Sequence, residues 1–277
     1  MRLKKFTACL LAAMFMLAMT AFAMDDELVK TDWGRGVIIV TGNGTGKAIY
    51  KNKSPGQYKL TAQQAARMDA QRKLAEYING VQVDSNSKME DLALQYDVVS
   101  TRAAGLVKNA VEVGKGEYDP EYGIYTVTME MKLYGGRGSV AEVAFLPFKD
   151  EPKVPFMQPT AKVATSGGYT GLVIDCGGRD ITPVMSPVIK NATGNKIYGH
   201  ENLDYDQIVI SGMASYADAV NDEISRNRAG NNPLVIKATG LADLNSTPVV
   251  SNEDANKILA ANQKDGFLNN CAVVFVK

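Results

Sequence analysis

The stretch VIIVTGNGTGKAIYK, Val37–Lys51, decides how the first half of this chain folds. A run of β-branched residues enters a glycine-rich segment that ends in Gly46-Lys47, which raises the question of a phosphate-binding loop. A Walker A loop has four residues between its glycines and a hydroxyl residue after its lysine. Here only three residues separate Gly42 from Gly46, and Ala48 takes the hydroxyl position.

A phosphate loop also opens a helix, because the positive N-terminal end of the helix faces the phosphate. The residues after the glycines are β-like instead, and the next helical pattern begins at Thr61. The sequence therefore predicts a strand, a turn in which the glycines supply positive φ angles, and a second strand over Lys47–Lys51. A nucleotide is not expected as a ligand.

The first 23 residues have the pattern of a secretory signal peptide. A basic start precedes an apolar stretch over residues 10–19, and an A-x-A cleavage site ends at Ala23. The stretch is short against the roughly 20 apolar residues that span a bilayer. Cys9 precedes it and does not stand at the cleavage point. We therefore expect a mature chain that starts at Met24, works in the periplasm or outer cell envelope, and associates with membranes at most peripherally.

The overall charge argues against nucleic acid as a partner. The chain has 30 basic and 30 acidic residues, and the signal peptide removes basic residues only. Nucleic-acid binding needs a concentrated basic face. The length suits one large domain or two small ones.

The clearest helix in the sequence is predicted over Thr61–Asn79. Thr61 and Gln64 have the spacing of a capping box, and Asn79-Gly80 supplies a stop. Ala66, Ala70, Leu74 and Ile78 repeat every four residues, which defines one apolar face.

Further along the first half, a weaker helical pattern covers Met89–Ala104. Two extended runs then face each other across Asp119–Gly123, and the second run, 124–134, alternates apolar and polar residues as a strand with one buried face does. These patterns predict a β-hairpin with the helix packed on its apolar side.

Residues 147–168 divide the chain. Prolines at 147, 152, 155 and 159 precede a Thr-Ser-Gly-Gly sequence, which is typical of a linker. After the linker, strands are predicted at 169–178, 205–212, 232–241 and 271–277, and helices at 216–226 and at Ser251–Ala261. We therefore expect an α+β fold with two small domains, 24–146 and 169–277, each a mostly antiparallel sheet with one or two packed helices.

Two cysteines remain after cleavage, Cys176 and Cys271. Both lie in β-like runs, so adjacent strands could bring them together as a disulfide in an oxidising compartment. They could equally be two buried thiols.

The helix carries a charged face that is a candidate partner surface. Its members are Arg67, Asp69, Arg72, Lys73 and Glu76. Such a face is more often simply solvated, with pairs such as Asp69 and Lys73 four residues apart.

No catalytic, cofactor or metal site is predicted from the other polar residues of the chain. His200 is the only histidine, Asp204 and Asp206 lack the rest of a calcium loop, and Ser186 and Ser211 lack a nucleophile-elbow context. The polar group at a predicted strand end, Asp175, Arg179 and Asp180, is either a small site or a solvated turn.

The segment from "GVIIVTGNGTG" through "AARMDAQRKLAEYINGVQV" to "GIYTVTMEMKL" resembles the LPP-twenty type of bacterial envelope lipoprotein domain. That domain is also similar to the N-terminal domain of the periplasmic flagellar protein FlgT. The resemblance covers roughly residues 35–135, and the lipobox cysteine of the family is missing. It implies an α+β envelope domain without known catalysis, associated with the outer membrane or with assembly of the flagellar basal body.

The sequence therefore predicts a non-catalytic secreted protein that binds or helps to assemble another envelope component. One alternative is a module that binds cell-wall glycan or a small ligand through exposed aromatics near a cleft, for which the candidates are Trp33, Tyr118, Tyr122 and Tyr134. A further alternative is a hydrolase that uses carboxylates near Asp175 and Asp180.

Overall fold

The computed structural model of the protein describes residues 28–46 and 54–277, and it confirms the α+β fold class. The signal peptide, its cleavage site and the predicted strand Lys47–Lys51 lie outside the described residues.

The first half is one antiparallel sheet with a long helix on one side. Its elements are β1 (Val29–Asp32), β2 (Val37–Thr45), α1 (Pro55–Asn79), α2 (Met89–Gln95), α3 (Asp97–Leu106), β3 (Val111–Glu112), β4 (Glu117–Asp119), β5 (Ile124–Lys132) and α4 (Val140–Ala144). The sheet has the order β1-β2-β5-β3, and β4 also pairs with β5. The predicted hairpin is present as β4 and β5, but residues 107–109 form a 3-10 turn, so the first run is extended only from Val111.

Gly42 and Gly44 of the opening stretch lie inside a strand and Gly46 directly follows it, so the turn predicted over Gly42–Gly46 is wrong. β2 continues through Thr45, and none of Gly42, Gly44 and Gly46 has a positive φ. They face α1 at alternate positions. A Cβ on Gly42 would lie 2.3 Å from the Ala66 carbonyl oxygen, and one on Gly44 would lie 2.2 Å from the Ala66 nitrogen. Glycine is needed here because the helix backbone rests directly on the strand.

The long helix begins two turns earlier than the sequence pattern indicated. Ser54 is its N-cap, because the Ser54 hydroxyl accepts from the Gln57 N–H and the Gln57 side chain accepts from the Ser54 N–H. Pro55 fits the first helical position. The Thr61 hydroxyl donates to the Gln57 carbonyl oxygen instead, at 2.8 Å. The weaker helical pattern at Met89–Ala104 is two helices, α2 and α3.

The second half contains two four-stranded sheets. Its elements are β6 (Gly171–Asp175), β7 (Ile189–Asn191), β8 (Lys196–Tyr198), α5 (Tyr205–Ser211), β9 (Ser215–Ala217), α6 (Glu223–Ala229), β10 (Pro233–Lys237), β11 (Gly240–Ala242), β12 (Thr247–Val250), α7 (Asn252–Asp265) and β13 (Val273–Val276). The sheets have the orders β10-β6-β13-β9 and β11-β12-β7-β8.

The strand directions of the second half differ from the predicted antiparallel pattern. β6 pairs in parallel with both β10 and β13, and β13 pairs in parallel with β9. The paired strands are distant in sequence and are connected through segments that contain helices. Such connections are crossovers, which produce parallel pairs, whereas tight turns produce antiparallel ones.

Two element assignments in the second half are also corrected. The stretch YDQIVISG is helix α5, with the Asp204 side chain accepting from the Asp206 N–H at its start. The region predicted as a helix from Tyr216 begins as strand β9, and α6 starts only after Asp222, whose carboxylate caps the Ser225 N–H. In both cases an aspartate N-cap sets where the helix begins.

The two halves share a hydrophobic core. One continuous cluster of buried residues runs from Ile38 in β2 to Phe275 in β13. Backbone hydrogen bonds also cross between the halves, from Met185 to Gln82 and from Gly135 to Val209, each 3.1 Å long. The halves are therefore packed as one body in this structure.

The proline-rich segment between the halves lies against the second half. The Val154 N–H donates to the Glu201 carbonyl oxygen at 2.7 Å, and the Thr160 N–H donates to the Asn256 side chain at 2.8 Å. The Phe156 ring stacks on Tyr198 with 6.5 Å between centroids. These contacts hold the segment in place, which its composition did not predict.

Candidate functional site

The charged face of α1 contains a pair that binds the free edge of β2. The Asp69 carboxylate accepts the Asn43 N–H at 3.0 Å, and the Lys73 ammonium donates to the Thr41 carbonyl oxygen at 3.0 Å. The two side chains also pair with each other at 2.6 Å. β1 pairs with β2 only as far as Val40, so these two charges cover backbone groups that an edge strand leaves unpaired.

The remaining members of this face are paired as well. Arg67 forms an ion pair with Glu112 at 2.7 Å, and Arg72 pairs with both Asp69 and Glu76. Arg72 and Glu76 are the well-exposed members, with 58% and 66% of their side chains accessible. Within the described chain, all five charges of the proposed partner face therefore have intramolecular partners.

The outer face of the first-half sheet, opposite α1, carries several exposed apolar side chains. Strand alternation directs Ile38 and Val40 toward the helix and Ile39 and Thr41 away from it. The outward apolar residues are Leu28, Val37, Ile39, Val111, Val113 and Ile124. Val111 is 62% exposed, Val113 42% and Ile124 39%. We name these residues the outer sheet face.

A cleft between the two halves contains two of the four predicted aromatics. Trp33 and Tyr134 line it from the first half, with Arg35 beside them, and Ser215 and Arg228 line it from the second half. Its volume is about 220 Å³. The other two candidates, Tyr118 and Tyr122, lie away from it at the β4–β5 hairpin. We name this space the interdomain cleft.

Two guanidinium groups dominate the electrostatics of the interdomain cleft. Arg35 pairs with both carboxylate oxygens of Glu130, at 2.9 and 3.1 Å. Arg228 donates to the carbonyl oxygens of Ser211 and Gly212 at the C-terminal end of α5. Arg228 was not predicted as a site residue, because the helix predicted at 216–226 ended before it, whereas α6 extends to Ala229.

The two cysteines are free, buried thiols, so no disulfide joins them. β6 and β13 are neighbours, but they are parallel, with Leu172 level with Val273. Cys176 follows the end of β6 and Cys271 precedes the start of β13, so the two cysteines lie at opposite ends of this parallel pair. A disulfide needs Cα atoms within about 7 Å. Burial raises the pKa of the Cys176 thiol to about 11.

The polar group after β6 forms a local turn. The Asp175 carboxylate accepts the Gly177 N–H at 2.7 Å, and Arg179 donates to the Cys176 carbonyl oxygen at 2.7 Å. Arg179 also reaches the Thr239 carbonyl oxygen. These contacts hold the turn between neighbouring strands.

His200 lies at the junction of the halves, and its ring is 5.0 Å from that of Phe148. Burial lowers the pKa of His200, although the nearby Glu201 opposes this. Its Nδ1 atom is 3.4 Å from the Ser186 hydroxyl, whose residue is only 6% exposed. Asp204 caps α5 and pairs with Lys153, so it is engaged in the fold.

Over residues 28–46 and 54–277, no cluster of three or more histidine, cysteine or acidic side chains could hold a metal ion. No helix in the same ranges has the length and apolar character to cross a membrane.

The second half resembles a domain of a known protein. Residues 171–277, from β6 to the end of the chain, match the family described as Treponema pallidum Tp0624, second domain. No curated protein matches the chain. The similarity therefore covers the second half of the chain, which contains the parallel strand pairs, and does not extend to the first half.

Proposed function

We propose that this is a non-catalytic secreted protein of the periplasm or outer envelope, which binds or helps to assemble another envelope component. The signal-peptide pattern of residues 1–23 supports the location. The resemblance of residues 35–135 to the LPP-twenty type of domain supports a role at the outer membrane or the flagellar basal body.

The outer sheet face is the observation that carries this proposal. It presents β-branched residues on a rigid sheet whose opposite side is filled by α1. Val111 and Val113 stand at its edge, where β3 is only two residues long. Its apolar residues alternate with Thr126, Thr128 and Glu130 of β5, which gives the mixed apolar and polar composition of a non-obligate protein interface. The partner we propose is an envelope protein that covers this face.

Several of the candidate catalytic groups have structural tasks, which favours a binding role. Asp175 and Arg179 hold a turn, Asp204 caps a helix, and the Ser186 hydroxyl is buried against His200. A hydrolase based on Asp175 and Asp180 is the further candidate, although Asp175 already holds the turn after β6. Turnover of an envelope substrate that Asp175→Asn abolished in a folded protein would support it.

A crosslinking pull-down of the mature protein from intact cell envelopes tests the leading proposal. We expect a recurrent envelope protein, identified by mass spectrometry, that is lost when Val111 and Ile124 are both replaced by Glu. Leu94→Glu is the matched control, because Leu94 is 87% exposed on α2, away from the outer sheet face. Capture that survives the double substitution would contradict this surface.

The alternative is a module that binds cell-wall glycan or a small ligand. The observation that favours it is the meeting of Trp33 and Tyr134, about a hundred residues apart in the chain, in one cleft beside two arginines. Aromatic side chains with a few polar groups are typical of ligand sites. Retention of the protein on isolated wall material, in a pelleting assay, is expected if this alternative holds.

A further inference from the structure

We infer that the interdomain cleft binds the carboxylate group of a small ligand. This inference deepens the small-ligand alternative above and does not depend on the outer sheet face. It rests on the charge of the cleft, on its unused hydrogen-bond donors and on the identity of its walls.

The cleft has an excess of positive charge. Its lining contains two guanidinium groups, Arg35 and Arg228, and no carboxylate. Arg35 is already paired with Glu130 outside the lining. Arg228 is half-buried and has only carbonyl oxygens as partners, so its full charge is not neutralised by a carboxylate within the described residues. A partly desolvated cation without a counterion favours the entry of an anion.

Unused donors are concentrated at the same place. Arginine has five N–H donors, and the contacts to Ser211 and Gly212 occupy two of them in Arg228. Four buried side-chain polar atoms in the described chain have no hydrogen-bond partner, and two of these are the Arg228 Nε and the Tyr134 hydroxyl. Buried polar groups without a hydrogen-bond partner are rare, and an ordered water or a bound ligand can supply the partner. Both of these residues line the interdomain cleft.

Geometry brings the two residues together. The Tyr134 ring lies against Gly212, where a Cβ would be 2.9 Å from three ring atoms, and Arg228 donates to the Gly212 carbonyl oxygen. Gly212 has a φ of 71°, so a glycine is needed there for the backbone conformation as well. A carboxylate at the guanidinium would accept a pair of charge-assisted hydrogen bonds, which is the geometry arginine favours.

The aromatic wall suggests what accompanies the carboxylate. Trp33 packs edge-on against Tyr216, with 5.7 Å between centroids, and it remains part of the cleft wall. A sugar or another compact ring could lie on its free side. A carboxylate could therefore come from a wall fragment or from a free small acid, and the experiment must separate the two sources.

Trp33 makes the test direct, because it is the only tryptophan in the chain. Its fluorescence in the full mature protein would be followed during titration with N-acetylmuramic acid, N-acetylglucosamine and lactate. The first compound has both the sugar and the carboxylate, the second has a similar sugar without a carboxylate, and the third is a carboxylate alone.

A saturable change with N-acetylmuramic acid only would support the inference and assign a wall-derived ligand. A change with lactate as well would support it and assign a free small acid. An equal response to N-acetylglucosamine and N-acetylmuramic acid, or no saturable response in folded protein, would overturn it. The affinity should also fall as salt is raised, because the interaction is between opposite charges.

Two variants locate the site. Arg228→Gln should weaken binding by about tenfold or more, which corresponds to about 1.4 kcal/mol. Arg226→Gln, on the same helix α6 and exposed, should bind as the parent does. Because Arg228 also holds the end of α5, Tyr134→Phe is the second variant: it removes a hydroxyl that no described group uses. Unchanged affinity in both would overturn the assignment, while the pull-down through Val111 would be unaffected.

Discussion

The two faces of the first-half sheet are built from the same strands but in opposite ways. Toward α1, β2 presents Ile38 and Val40 and then glycines, so the helix backbone lies on the strand backbone. Away from α1, the same strand presents Ile39, Thr41 and Asn43, and among the helices in the described residues only α1 packs extensively on β2. One face is therefore filled by the helix, and the other remains partly exposed.

Of these two faces, only the outer one has apolar surface that a partner could bury. The inner face is buried against α1. Charged side chains of α1 bind backbone groups of β2 or form ion pairs with one another. The outer sheet face retains accessible apolar area, whose removal from water favours association by roughly 25 cal/mol per Å² before the costs of binding.

The largest effect on stability is expected at Ile38, and the neighbouring Ile39 provides the comparison. Ile38→Ala should cost about 2–5 kcal/mol of the free energy of unfolding, because Ile38 is fully buried and its loss leaves a cavity. Ile39→Ala, one residue away on the outer sheet face, should cost less than about 1 kcal/mol. Urea denaturation of both variants measures the contrast. Equal losses would mean that the outer face is covered.

The next effect concerns the glycines under α1. Gly44→Ala should cost about 3 kcal/mol, because the new Cβ would meet the Ala66 nitrogen and the Ala62 carbonyl oxygen, and the helix backbone cannot yield easily. Gly105→Ala in α3 is the control, since nothing lies within 4 Å of its Cβ position. That control should gain up to about 1 kcal/mol. A tolerated Gly44→Ala would show that the helix is not in direct contact with the strand.

A smaller effect is expected at the edge of β2. Burial opposes ionisation of Asp69, but hydrogen bonds from Lys73, the Asn43 N–H and Arg72 outweigh it, so its pKa lies below 3.8. A carboxyl group whose pKa is lower in the folded state than in the unfolded state stabilises the folded protein at pH values above its unfolded pKa. This stabilisation is lost as the pH falls through the folded-state pKa. Asp69→Asn should therefore cost about 1 kcal/mol at neutral pH.

Thermal unfolding between pH 7 and pH 2 checks that prediction. The gap between the parent and Asp69→Asn should be constant near neutrality and should close below pH 3.8. Glu76→Gln, whose side chain is 66% exposed, is the control and should show little gap at any pH. A gap that persists in acid would mean that Asp69 does not act through its charge.

The smallest change in stability is expected on the outer sheet face. Val111→Glu should alter the free energy of unfolding by less than about 0.5 kcal/mol, because the Val111 side chain is 62% exposed. The same variant should lose the envelope partner if the proposed function is right. A large loss of stability would instead mean that Val111 packs within the fold.

Local patterns determined much of the fold. The four-residue repeat of Ala66, Ala70, Leu74 and Ile78 located the apolar face of α1, and all four are buried. The alternation in β5 and the helix predicted from Ser251 were also correct, since each depends on a few neighbouring residues. The predicted helix start at Thr61 and the predicted strand at 205–212 were wrong. In both places an N-cap residue, Ser54 or Asp204, determines where a helix begins.

What the sequence could not determine depends on partners distant in the chain. A strand pattern does not encode the direction of its neighbour, so the parallel pairing of β6 and β13, and with it the separation of Cys176 from Cys271, was decided by tertiary structure. The same holds for the interdomain cleft, where Trp33, Tyr134 and Arg228 meet only because the two halves share a core. The α+β class and the buried faces of α1 and β5 followed from the sequence alone, because they depend on local spacing and propensity.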